Sequence, residues 1–139
     1  MTNKSILALV VSSSGSLQNG LLALMTTIPT ISAVLVAEDV NSALRVVENH
    51  QPALIILDMS LAEVQEVVQQ IKSRCSNIHL IVLVEDIAQQ KEVEELGVDS
   101  VLLKGFPAQK LIAIVENIID FRKDTPPVQT DPEGGTNAN

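Results

Sequence analysis

The chain has 139 residues, enough for one domain with a substantial core. Its apolar content of 46% marks a folding chain, and its formal charge of −8 speaks against nucleic acid as a direct partner. There is no Trp or Tyr and only two Phe, Phe106 and Phe121, which leaves little to stack on bases, sugars or flavin rings. A single cysteine, Cys75, excludes an internal disulfide and fits a reducing compartment. The apolar run near the N-terminus ends at Ser12, too short for a signal core or a membrane span, so a cytoplasmic location is expected.

Residues 5–11 read as a first buried strand, and Ser12-Ser13-Ser14-Gly15-Ser16 as a tight loop after it. Leu17, Leu21, Leu24 and Met25 then fall at helical spacing, and Pro29 closes the unit. Residues 31–37 read as a second strand, and Asp39 as the cap of a helix carrying Val40, Ala43, Leu44 and Val47 on one face. After Pro52, five apolar residues, Ala53 to Leu57, run unbroken into Asp58, as in a strand buried on both faces. Leu61, Val64, Val67, Val68 and Ile71 stripe the next helix, residues 79–84 form a fourth strand, and Ile87 to Leu96 a weakly amphipathic helix with Gly97 as its C-cap. Residues 99–103 make a fifth strand ending at Lys104. Pro107 suits the first turn of a last helix, which Leu111, Ile114, Val115, Ile118 and Ile119 stripe.

From about Arg122 the pattern stops. The Pro-, Gly- and polar-rich residues 122–139 are expected to be a disordered tail or the stub of a linker, leaving 1–121 as the folded domain. Five β-α units in succession predict a parallel sheet with helices on both faces. The carboxyl edge of that sheet, where open α/β folds bind ligands, would collect Ser12, Ser13, Asp58, Val84, Glu85 and Lys104. The plainest reading of Asp58 and Lys104 there is a partly solvated ion pair worth ~1 kcal/mol or less; Asp58 alone would also serve as a helix cap.

The order of elements, the Leu57-Asp58 strand end, and Gly97-Val98-Asp99-Ser100-Val101-Leu102-Leu103-Lys104 resemble the receiver domain of bacterial two-component response regulators over residues 5–121. The resemblance implies a flavodoxin-like (βα)5 three-layer sandwich with strand order 2-1-3-4-5. It also implies phosphorelay signalling, Asp58 as acceptor of a phosphoryl group from a histidine kinase, and Lys104 as the ammonium that contacts it.

Several positions depart from the family pattern. Ser12 and Ser13 stand where two acidic residues usually hold Mg²⁺, a hard cation that prefers carboxylate oxygens. Of its usual ligands only Asp58 and the backbone carbonyl of Ser60 would remain, so no cofactor is expected and Mg²⁺ would bind weakly. Glu85 is on the rim but off the metal position. Val84 replaces the usual Ser or Thr, Val101 the usual Tyr or Phe of the switch, and Gly105 the proline after the lysine.

The expectation is therefore an atypical receiver that is not an enzyme and binds a protein partner, a kinase or an output protein, with a homodimer plausible. A phosphate- or nucleotide-binding module using the Ser12–Ser16 loop is the alternative, although it has no Gly-x-Gly-x-x-Gly fingerprint. A dehalogenase-like phosphatase would need an acid where Ser60 stands. His50, His79 and Cys75 carry no chemistry on this map. Lys91, Glu92, Glu94 and Glu95 read as a solvated helix face, which in family members is also a partner surface.

Overall fold

A computed structural model describes residues 6–13, 15–58, 60–74 and 77–124, without the side chains of residues 16 and 119–124. Cys75, Ser14 and the tail beyond Asp124 lie outside this description, as does any domain boundary within the tail. The elements alternate throughout: β1 (Ile6–Ser12), α1 (Gly15–Met25), β2 (Ile31–Ala37), α2 (Val40–His50), β3 (Leu54–Asp58), α3 (Leu61–Arg74), β4 (His79–Val84), α4 (Ile87–Glu94), β5 (Ser100–Leu103) and α5 (Ala108–Asp124). All strand pairs are parallel and the sheet order is β2-β1-β3-β4-β5, as the resemblance implied.

The alternation of side chains along each strand builds the three layers. Leu9 and Val11, Ile55 and Leu57, Val82 and Val84 face Ala43 and Val47 of α2, Val64, Val67, Val68 and Ile71 of α3, and Val93 of α4. Ala8 and Val10, Leu54 and Ile56, Ile81 and Leu83, and Leu102 face the other way, toward Leu21 and Met25 of α1 and Leu111, Val115 and Ile118 of α5. The side chains of β3 from Leu54 to Leu57 are fully buried, which explains their unbroken apolar run. Each contributes ~1.5–3 kcal/mol by leaving water.

The helix starts follow from local chemistry. Asp39 caps α2 by accepting from the Ser42 N–H at 2.8 Å, and Asp86 caps α4 by accepting from the Gln89 N–H at 2.9 Å. Ser60 and Glu63 form a capping box at the head of α3. Glu63 Oε1 accepts from the Ser60 hydroxyl at 3.1 Å and from its N–H at 3.3 Å, and Ser60 Oγ accepts from the Glu63 N–H at 3.3 Å.

Four boundaries differ from expectation, the smallest at β5, which opens at Ser100 and not at Asp99. The loop after β1 is shorter than Ser12–Ser16, because β1 runs through Ser12 and α1 opens at Gly15. Helix α4 stops at Glu94, and a turn carries the chain to Gly97 at φ 81°. Helix α5 continues to Asp124, three residues past the end expected at 121.

Candidate functional site

Strand register brings the rim residues together. Ser12 is the direct neighbour of Asp58 across the β1–β3 ladder. Ser12, Asp58 and Lys104 each follow a residue of the α1/α5 face, Val10, Ile56 and Leu102, by two positions. One more step of the two-residue period turns all three toward the same side of the sheet. Lys104 is held at the rim by its own N–H, which donates to the Val84 carbonyl at 2.8 Å.

Asp58 is the centre of the site. It is 9% exposed, a buried carboxylate that must be paired. Its Oδ2 accepts from the Ser12 hydroxyl at 2.8 Å, and its Oδ1 lies 2.8 Å from Lys104 Nζ. Both carboxylate oxygens are thus engaged. The expected partly solvated ion pair is formed, with Lys104 partly exposed and Asp58 buried, so its attraction is less screened by water than at a fully exposed pair.

Lys104 Nζ also lies 2.8 Å from Glu85 Oε2. Hydrogen bonding to Asp58 first, and to Glu85 second, holds the Lys104 ammonium above the ordinary lysine value against the opposing cost of partial burial. The group is therefore a carboxylate–ammonium–carboxylate chain anchored by a serine hydroxyl. Glu85 is the member that sequence reasoning set aside, since it does not stand at the family's metal position. A signal for it was present: Glu85 follows Leu83, an α1/α5-face residue, by the same two positions.

The other expected residues are placed as follows. Ser13 is exposed beside Ser12. The Ser60 carbonyl accepts from the Val64 N–H at 2.9 Å as the first backbone bond of α3. Val84 is buried in the α2/α3/α4 cluster, and half-buried Val101 packs against that same cluster. Gly105 has φ 90°, and the Phe106 N–H donates to the Leu103 carbonyl at 3.1 Å. A turn closed this way, with positive φ at its third residue, is of type II and calls for Gly there. Among the described residues no group of three or more His, Cys, Asp or Glu is placed to hold a metal.

A parallel sheet in the order 2-1-3-4-5, with an Asp at the end of β3 and a Lys just beyond β5, defines a receiver-type signalling domain. The family described as "Response regulator receiver domain" matches residues 9–116, and the chain belongs to that family. Solved structures agree in fold. A response regulator receiver domain protein from Clostridium thermocellum is 21% identical, with a TM-score of 0.72, covering 84% of this chain and 96% of that one. A DNA-binding response regulator of the LuxR family from Staphylococcus aureus is 16% identical, with a TM-score of 0.72, covering 82% and 98%. NtrX from Brucella abortus, in complex with ADP, is 20% identical with a TM-score of 0.74; the match covers 86% of this chain but only 27% of NtrX. No curated protein sequence matches the chain.

Proposed function

We infer that this receiver domain acts mainly as a protein-binding signalling module, with Asp58 at the phosphoacceptor position and phosphoryl transfer to it slow. The observation that carries the reading is the engagement of both Asp58 oxygens, by the Ser12 hydroxyl and by Lys104. Ser12 and Ser13 stand where the family usually has its acidic pair. Besides Asp58 itself, the family's metal positions then offer a neutral hydroxyl and a carbonyl already bonded within α3, while the Glu85 carboxylate is held on Lys104, a set that suits Mg²⁺ poorly. No step of the proposed role is routed through that ion.

Val84 has no hydroxyl for a phosphoryl oxygen, and Val101 has no ring to swing, which supports binding without the family's switch. The partner is a histidine kinase or an output protein. The exposed surface of α4 supports this, with Ile87 62% exposed near Lys91, Glu92, Glu94 and the following Glu95. A homodimer over the same surface is a variant of this reading that sedimentation velocity resolves. Among the described residues no helix is long and apolar enough to cross a membrane, which is compatible with the proposed cytoplasmic location. The proposed folded unit ends near α5, with the remaining residues a tail or linker.

Incubation with acetyl phosphate and Mg²⁺, followed by intact mass, tests the reading. Transfer would form a bond from an Asp58 oxygen to phosphorus as acetate leaves with the electrons of its own P–O bond. The expected mass is that of the unmodified, folded chain. Rapid formation of an adduct that is missing from Asp58→Asn would overturn it.

A further inference from the structure

We propose that Glu85 is a built-in anionic occupant of Lys104 that withholds the ammonium from phosphoryl groups and so disfavours phosphorylation of Asp58. This rests on the reading of Asp58 as the residue at the acceptor position.

The geometry supplies the argument. An ammonium has three N–H donors, and Lys104 directs two of them at Asp58 Oδ1 and Glu85 Oε2, each at 2.8 Å. An incoming phosphoryl group arrives as an anion and needs that same ammonium. It meets the carboxylate of Glu85 already in place, and its own charge is opposed by that of Glu85 as well as by Asp58.

Glu85 is well placed for this role. Its N–H donates to Gln89 Oε1 at 2.9 Å, and the next residue, Asp86, caps α4. The backbone that carries the carboxylate is therefore fixed at the head of the helix. The side chain remains 64% exposed, so it is not a buried structural group whose loss would unfold the protein. Its strongest identified role is on Lys104. Glu85 is thus a positioning residue and an electrostatic gate, specific against anionic phosphodonors.

The test is Glu85→Gln in the full chain, with Glu116→Gln on the exposed face of α5 as a control for the same change in net charge. Both are incubated with acetyl phosphate and Mg²⁺, and adduct formation is followed by intact mass. The expected result is an Asp58 adduct forming on the order of tenfold faster in Glu85→Gln than in wild type, the scale of one nearby unit charge at a partly solvated site. Glu116→Gln should match wild type. The advantage of Glu85→Gln should shrink as NaCl is raised, because screening acts on charge and not on shape. Equal rates in wild type and Glu85→Gln, including no adduct in either, would overturn the role of Glu85 while leaving the binding-module reading intact. A fast adduct on wild type would overturn that reading, and the ratio of the two rates would still decide Glu85 separately. An equal gain in Glu116→Gln would also sink the proposal, since net charge alone would then explain the effect.

Discussion

At the scale of single residues, the site is governed by the requirement that a buried carboxylate be fully satisfied. Ser12 supplies one of the two contacts that make Asp58 tolerable at 9% exposure. Ser12→Ala should cost ~1.5–3 kcal/mol, the range for a hydrogen bond to a charged group. In an Asp58→Asn background the same substitution should cost less, because the charge that needs the donor is gone. Urea denaturation of the four proteins of this cycle measures the difference; equal costs in both backgrounds would mean that Ser12 does not act through Asp58. Gly105 follows a different rule. At φ 90°, with nothing within 4 Å of an added Cβ, its constraint is backbone conformation alone. Gly105→Ala should lose ~1–3 kcal/mol. Gly105→Pro, which restores the family's usual residue, should also destabilise, by more than ~1 kcal/mol, because proline fixes φ near −65°. A urea midpoint unchanged by either substitution would contradict the turn assignment.

At the scale of elements, the sequence was legible wherever burial imposes a period. β2 and β4 lie at the residues expected, and β3 was evident from its two-sided apolar run. The Asp39 cap was equally plain, since a carboxylate before an amphipathic stripe has one obvious use. The end of α4 was less legible. Only Val93 of that helix is buried, so core contacts give its length little definition, and the positive-φ Gly97 lies a turn beyond it. Asp58 and Lys104 were evident from their strand ends. Glu85 was legible as a rim residue too, but not its pairing with Lys104, 19 positions away, which only the fold brings into contact.

The opposite end of the sheet carries a titratable element that sequence alone passed over. His79 opens β4, half-buried, with its Nε2 3.1 Å from Ser100 Oγ on β5. Burial lowers its pKa from the ordinary 6.5, partly opposed by Asp99. The folded state therefore favours neutral imidazole. Its contribution to stability is present above the ordinary value and is lost as pH falls through the lower folded value. Thermal midpoints at pH 7.5 and 5.5 should fall more steeply in wild type than in His79→Gln. Parallel slopes would mean that His79 titrates alike folded and unfolded.

At the scale of the whole molecule, the question is how far a change at Asp58 travels. In a two-state switch, a local event is transmitted by an element with two arrangements. Among the described residues, the side-chain contacts leading from Asp58 run to the hydroxyl of Ser12 and the ammonium of Lys104, and the latter continues to Glu85 at the head of α4. Val84 and Val101 both belong to the apolar cluster on the other side of the sheet, where side chains interlock and have no polar reason to move. Removing the Asp58 charge should then be felt at Ser12, Lys104, Gly105 and Glu85 and go no further. In amide spectra of Asp58→Asn, the shifts should stay with those residues and their immediate neighbours, leaving Lys91 to Glu95 of α4 and Ser100 to Leu102 of β5 in place. Movement of that distant set would show that the domain retains a switch built from other residues. Its absence would place the signalling work of this receiver in the surface it presents at all times.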